Sequence, residues 1–316
     1  MKIIGVDGQG ELRVPCVATI GFFDGVHRGH RFLINKVIET ARHYGMASTA
    51  ITFAVHPRQV LQPDWRPQLL STLDEKTELL GQTGIDYLVV LPFDADMAAL
   101  SAYDFMSDVL VRRLGVQVLV TGYDNRFGHR APGSVEGFED YVRYGRELGM
   151  EVLSCSPFDA DAVRVSSSQV RRLLQAGDVG LAARCLGRPY QLTGTVVRGE
   201  HVGTGLGFPT ANLLPSADKL RPAPGVYAVR VRVGDLQEQL PGMMNIGRRP
   251  TFNGDHLTLE THIFHFTGNL YGQQMTVGFV HRLRSEMKFD SREALAAQLA
   301  VDARQSEEIL NHITDI

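Results

Sequence analysis

The sequence predicts two domains of different class: an α/β domain with a parallel sheet, then an antiparallel β-barrel closed by a C-terminal helix. Three observations predict it. Short apolar runs alternate with longer amphipathic ones through the first half, which implies a parallel sheet covered by helices on both faces. After about Leu186 the pattern changes to short, period-two runs punctuated by Gly and Pro, the signature of antiparallel strands. The chain then closes on a helical stretch with apolar Leu295, Leu299 and Ile309.

In the first half the expected strands are Val14–Gly21, Met46–Phe53, Asp86–Pro92, Val116–Thr121 and Glu151–Ser156. Between them the spacing predicts helices over Gly29–Tyr44, Leu73–Thr83, Ala102–Leu114 and Ser134–Leu148, with apolar residues such as Leu33, Val37 and Ile38 three and four apart. The arrangement is Rossmann-like, and in such sheets ligands bind beyond the carboxyl ends of the strands. In the second half Gly225–Val233, Leu257–Phe266 and Met275–Leu283 alternate as strands, and Ser291–His312 reads as the closing helix. The change of pattern sets a boundary near residues 183–188, giving domains 1–185 and 186–316. No internal repeat is visible.

Bulk properties narrow the function. With 44% hydrophobic and 21% charged residues among 316, each half can bury its own core. A formal net charge of −3 argues against a nucleic-acid partner, so any phosphate binding must come from local sites. Cys16, Cys155 and Cys185 are widely spaced, which fits a reducing compartment and gives neither a disulfide framework nor a zinc site. The opening residues lack a signal-peptide pattern, and no apolar run approaches the roughly 18 residues of a membrane span. The expectation is a cytoplasmic protein with small-molecule substrates and no membrane partner; a homo-oligomer is left open.

The first strand runs into G-F-F-D-G-V-H-R-G-H, residues 21–30. His27 and His30, three apart at a helix start, share a face and can point at one object. The helix N-terminus offers free N–H groups and a positive dipole end, so an anion such as a nucleotide phosphate suits it. Gly21, Gly25 and Gly29 allow tight turns and close approach of a ligand, and Asp24 lies at the turn. Two imidazoles here meet the main need of phosphoryl-type transfer, which is positioning and neutralising charge. At the far end of the same domain V-S-S-S-Q-V-R, residues 165–171, sets three hydroxyls at a helix start with Arg171 one turn in. Read without those partners, His-x-Gly-His is as readily a solvated helix end, and it equally suggests other nucleotidyltransferases or a class I aminoacyl-tRNA synthetase. The absence of a lysine from the serine loop argues against the synthetase.

Together these stretches resemble the adenylyltransferase half of bacterial bifunctional FAD synthetases, as do T-F-A-V-H-P (52–57) and G-Y-D-N-R-F-G (122–128). The resemblance implies that His27 and His30 contact ATP phosphates, and that Ser166, Ser167, Ser168 and Arg171 close over the triphosphate. It implies nucleotide or flavin contacts for Gly21, Phe22, Asp24, Gly29, His56 and Asn125. The chain departs from the family at Ala54 and Val55, where an acidic residue and a proline are usual, and at Asn125.

The second half contains no G-x-x-x-x-G-K-[ST]. Instead G-E-H-V-G-T-G-L-G-F-P-T-A-N-L spans 199–213, with Gly203, Gly205 and Gly207 in a loop whose N–H groups could cradle phosphate. Thr210 and Asn212, two apart on an extended chain, project to one side as a hydroxyl and an amide oxygen, hard ligands suited to Mg²⁺. Glu260 is a carboxylate in an otherwise apolar strand, costly unless it has a partner or a task; the bland reading is a glutamate on the solvent face of an edge strand. The F-P-T-A-N-L motif resembles the riboflavin kinase signature. P-G-V-Y-A-V (224–229), N-I-G-R-R-P-T-F (245–252), L-E-T-H-I-F-H-F (259–266), L-Y-G (270–272) and L-R-S-E-M-K-F-D-S (283–291) extend it. By that resemblance Thr210 and Asn212 hold Mg-ATP, Glu260 is the general base, and Arg284, Glu286 and Phe289 form a flap over the flavin. His262 and His265 read as bystanders.

The expected function is therefore bifunctional: ATP-dependent phosphorylation of riboflavin to FMN, then adenylylation of FMN to FAD with release of pyrophosphate. A single-activity riboflavin kinase with an impaired adenylyltransferase half, and a flavin-storage module, are the rivals.

Overall fold

The computed structural model divides into Met1–Ser166 and Ser167–Ile316. It describes residues 1–5, 12, 14–123, 125–129, 136–160, 163–199, 203–234, 236, 238–251 and 254–312. Asp124, Ser134, Glu200, His201, Val202 and Phe252, which belong to motifs or elements read above, lie outside the described residues.

In the first unit, strands β1 (Lys2–Ile4), β2 (Cys16–Ile20), β3 (Ala47–Phe53), β4 (Tyr87–Leu91), β5 (Val116–Gly122) and β6 (Glu151–Cys155) form one parallel sheet. Its order is β1-β4-β3-β2-β5-β6. The helices are α1 (Arg28–Tyr44), α2 (Pro57–Leu61), α3 (Leu73–Gly81), α4 (Ala95–Ala99), α5 (Ala102–Asp104) and α6 (Phe138–Leu148). All five residues of β2 are buried, as a central strand covered on both faces must be. α1 buries Leu33, Ile34, Val37, Ile38 and Ala41 as one stripe and stops at left-handed Gly45. Thr72 and Glu75 start α3 with reciprocal capping bonds. The predicted helix over Ala102–Leu114 is α-helical only to Asp104. From Phe105 to Arg113 it widens to a π-helix that keeps Phe105, Met106, Val109 and Leu110 buried. The chain also forms β1, which the sequence reading did not mark, and a two-residue hairpin, β7 (Asp159–Ala160) with β8 (Val163–Arg164).

The second unit opens with α7 (Ser167–Ala176) and α8 (Val179–Leu186). Strands β9 (Tyr190–Val197), β10 (Ala211–Pro215), β11 (Gly225–Val233), β12 (Leu240–Thr251), β13 (Gly254–Ile263) and β14 (Gln274–Arg284) follow, and α9 (Arg292–His312) ends the fold. The strands close an antiparallel barrel in the order β10-β13-β12-β11-β14-β9. Tyr190, Leu192, Tyr227, Val229, Val231, Val277 and Phe279 are buried in it. α9 packs Leu310 on Ala228, Met243, Phe264 and Val280. α8 buries Val179, Ala182, Ala183, Cys185 and Leu186 and packs on β9 and β14. By packing, then, α7 and α8 go with the barrel, whereas the sequence pattern set the boundary after them.

Candidate active sites

In the first unit the strand order reverses at β2, with β3 on one side and β5 on the other. The crevice beyond the carboxyl ends of these strands is the expected ligand position. From Ile20 the chain passes Gly21 and Phe22, turns at left-handed Phe23 (φ 53°), makes a single 3-10 turn over Asp24–Val26 and enters α1 at His27. Asp24 is 3% exposed, and its carboxylate accepts the Leu70 and Ser71 amides at 2.9 and 3.0 Å. It anchors the turn from behind, a task distinct from the ligand contact expected of it.

His27 Nδ1 accepts the His30 amide at 3.2 Å, and the two rings stack at 3.6 Å and 18°. A Cβ on Gly29 would lie 3.2 Å from two atoms of the His27 ring, so the glycine lets that ring fold down over α1. Because Nδ1 of His27 is an acceptor, a neutral His27 carries its proton on Nε2. His30 Nδ1 is buried with no hydrogen-bond partner among the described residues. An orphaned acceptor is cheaper than an orphaned donor, so His30 too holds its proton on Nε2. Burial, with the charges of His27 and Lys76, holds the His30 pKa well below the ordinary imidazole value, and the ring is neutral at pH 7. The pair therefore presents two N–H donors at a helix N-terminus.

Asn125 and Lys76 brace the crevice. Asn125 Nδ2 donates to Ile20 O at 2.6 Å, tying the loop after β5 to the end of β2 across the switch point. Lys76, 2% exposed on α3, gives its ammonium protons to Phe22 O, Thr52 Oγ1 and Phe53 O, each at 3.1 Å, and lies 4.1 Å from the Phe22 ring centroid. The sequence reading missed it: a lysine on an amphipathic helix ordinarily faces water. The Phe22 ring meets His56 edge-on at 4.5 Å, and His56 meets Trp65 at 4.7 Å. His56 Nδ1 caps α2 through the Arg58 amide. Trp65, also missed, completes an aromatic ledge with Phe22 and His56. Where the chain departs from the family before His56, Ala54 packs on the core and Val55 is exposed. The boundary between the two units falls inside the serine motif: Ser166 ends the first, and Ser167, Ser168 and Arg171 open α7 in the second.

Burial lowers the Lys76 pKa from 10.5 to about 8. Between those values the unfolded chain binds the extra proton, so this residue makes folding more favourable as pH climbs through the window. In paired unfolding curves of the wild type and Lys76→Met, the stability difference should move in the wild type's favour from about pH 8 to 10.5. A constant difference would show that the buried amine does not titrate there.

In the barrel, Gly203–Leu206 make a 3-10 turn, and Gly207, at φ +84°, reverses the chain into Phe208-Pro209-Thr210. A cavity of about 320 Å³ lies beyond it. Its polar lining includes Thr210, Asn245, Glu260, His262 and Arg284, and its apolar lining includes Phe208, Met243, Leu295 and Leu299. Asn212 and Asn245 are the register partners of Glu260 on the neighbouring strands, which puts all three side chains on one face. A second cavity, of about 470 Å³, lies against Thr210, Thr261, Leu270 and Tyr271. Residues 260 and 261 point to opposite faces of β13, and Thr210 borders both cavities.

Arg284 lines the first cavity, but its Nε and Nη2 grip Asp302 of α9 at 2.7–3.1 Å and its Nη1 donates to Ser285 O. Asp302 is fully buried and also accepts Gln298 Nε2 at 2.9 Å. This pair fixes α9, which brings Leu295 and Leu299 to the cavity, so Arg284 acts as a brace as well as a wall. Glu286 accepts the Arg248 amide at 3.1 Å, joining the segment after β14 to β12. Asp302→Ala leaves a largely buried guanidinium uncompensated and should cost about 3 kcal/mol. Chemical denaturation should show the loss in the barrel transition.

A sequence-family profile described as FAD synthetase matches residues 10–169, and one described as Riboflavin kinase matches 186–310. The bifunctional riboflavin kinase/FMN adenylyltransferase of Escherichia coli (strain K12) is 39% identical over 287 residues, 91% of this chain and 90% of that protein. The protein of the same name from Haemophilus influenzae is 34% identical over 98% of this chain and its own full length. A solved structure titled as a macrolide-efflux protein from Streptococcus pneumoniae superposes with a TM-score of 0.87 at 29% identity, covering 98% of this chain and 99% of that one. Among the described residues no helix is long and apolar enough to cross a membrane. Two profile matches in tandem and relatives aligned along nearly their whole length show that the chain belongs to the bifunctional riboflavin kinase/FMN adenylyltransferase family.

Proposed function

We propose that this chain converts riboflavin to FMN in its barrel and FMN to FAD in its α/β half, consuming one ATP at each step. The observation that carries the kinase reading is that Thr210 borders two cavities, one of them holding Glu260. Riboflavin occupies the cavity with the apolar wall, its ring against Phe208, Met243, Leu295 and Leu299 and its ribityl hydroxyl toward Glu260. ATP occupies the cavity beside Leu270 and Tyr271. Glu260 takes the hydroxyl proton as that oxygen bonds to the γ-phosphorus, and the bond to the ADP oxygen breaks. The donor set beside it, a threonine hydroxyl, an asparagine amide oxygen and a carboxylate, suits Mg²⁺, which prefers hard oxygens and keeps phosphate among its ligands. Thr210 and Asn212 would hold the ion, which supplies charge neutralisation on the transferring phosphate when bound. Gly203, Gly205 and Gly207 let the loop backbone approach the phosphates.

In the second step an FMN phosphate oxygen attacks the α-phosphorus of ATP and pyrophosphate leaves. The nucleophile is already anionic, so no base is required and the site need only donate hydrogen bonds to the developing charge. His27 and neutral His30, each with Nε2–H, fit that requirement. Ser166 lies toward the triphosphate, and the flavin ring lies toward Phe22, His56, Asn125 and Trp65. The activities divide at residues 185/186, and the buried thiols of Cys16, Cys155 and Cys185 suit a cytoplasmic enzyme. A time course with riboflavin and Mg-ATP, separating riboflavin, FMN and FAD, tests the whole reading. FMN should rise first and FAD follow; neither product appearing would refute it, and FMN accumulating alone would remove the second activity.

A further inference from the structure

The two histidines of β13 and its following turn, His262 and His265, have different environments. His265 is exposed, at φ +56°, and pairs with Glu307 of α9 at 3.0 Å. His262 lies two residues beyond Glu260, on the same face of β13, and lines the same cavity. Its ring sits edge-on to Phe208 at 5.3 Å and to Phe264 at 5.6 Å. Its Nδ1 is 2.8 Å from Pro209 O. A carbonyl oxygen can only accept, so Nδ1 carries the proton and donates.

The position of that bond matters. The pairing of β10 with β13 consists of Asn212 with Glu260 and Ala211 with Thr261, and it ends there. Upstream of Ala211 the chain leaves the ladder, and Pro209 has no N–H with which to extend it. The His262 side chain supplies a link to β13 where the backbone no longer does, on the residue immediately before Thr210.

We propose that His262 is a positioning residue of the kinase site: its Nδ1–H holds the Pro209 carbonyl and thereby sets the direction in which Thr210 faces the metal-bound nucleotide. The inference rests on the reading of Thr210 as a ligand of Mg-ATP.

Three variants of the full chain separate the bond from the packing. His262→Phe keeps the ring between Phe208 and Phe264 and removes the donor. His262→Asn places an amide nitrogen near the Nδ1 position. His262→Gln carries its donor one bond too far. Initial rates of FMN formation are measured against ATP at several Mg²⁺ concentrations and against riboflavin, with FAD formation from supplied FMN as the internal check. Loss of one hydrogen bond predicts a rise of about tenfold in the apparent KM for Mg-ATP in His262→Phe and His262→Gln. His262→Asn should recover to within about twofold, while the riboflavin KM and FAD formation stay at wild-type values. A wild-type Mg-ATP dependence in His262→Phe overturns the proposal. So does an equal loss in the Asn and Phe variants, which would make the role one of packing. A rise confined to the riboflavin KM would make His262 a flavin contact and also overturn it. Should His262→Phe not fold, the contrast between Asn and Gln carries the same test. Thr210→Val is run in parallel: no change in its Mg-ATP dependence sinks the ligand reading itself. A rise there with none in His262→Phe sinks only the inference about the histidine.

Discussion

Glu260→Gln should reduce riboflavin phosphorylation by about 10²–10⁴-fold, the range for loss of a positioned general base, while FAD formation from supplied FMN continues at the wild-type rate. Glutamine preserves the size and hydrogen-bonding reach of the side chain, so Asn212 and Asn245 keep a polar neighbour and the barrel should melt at nearly its original temperature. The fall belongs in kcat, because the amide cannot take the ribityl proton as the bond to phosphorus forms. An unchanged kcat would remove Glu260 from the base role and leave it a wall of the cavity. A fall in both activities would show that the two halves are not catalytically independent.

The second large effect is at His30. His30→Ala should lower adenylyl transfer by about 10²–10³-fold, the usual cost of losing one preorganised donor to transition-state charge, with riboflavin phosphorylation untouched. His30→Gln, whose amide nitrogen reaches close to the Nε2 position, should retain more activity than the alanine variant. Equal loss in both would mean that the ring does more than donate. The pH dependence gives a separate check. The folded ring takes up a proton only far below 6.5, whereas the unfolded ring takes one up near that value. Below pH 6.5 the unfolded chain therefore binds more protons, and this residue makes the first unit less stable as pH falls. His30→Ala lacks that term, so its stability should decline less steeply on acidification than that of the wild type. Parallel slopes would contradict a buried, neutral His30.

Much of the molecule was legible because periodicity and turn chemistry are local. Cys16–Ile20, Tyr87–Leu91 and Gly225–Val233 are strands where alternation or short apolar runs predicted them, and α1 and α9 begin within a residue of expectation. Local signals also carried the motif residues: His27 and His30 at one helix start, Glu260 within its strand, Thr210 and Asn212 two apart. Short or irregular elements were not legible. β1 has only three residues, too few for a period, and it gains its bonds from β4, distant in the chain.

Residue types at short spacing, read from the chain alone, determined that there are two classes of domain and two sets of candidate phosphate-binding side chains in a definite order. Which polar groups support those sets was decided only by the tertiary structure. Lys76 is buried because Phe22, Thr52 and Phe53 supply acceptors from strand ends that meet it only in the folded sheet. Asp24 and Arg284 also serve as braces, because Leu70, Ser71 and Asp302 reach them from 18 to 47 residues away. Hydrogen bonds and burial depend on distance in space, and a sequence records directly only distance along the chain.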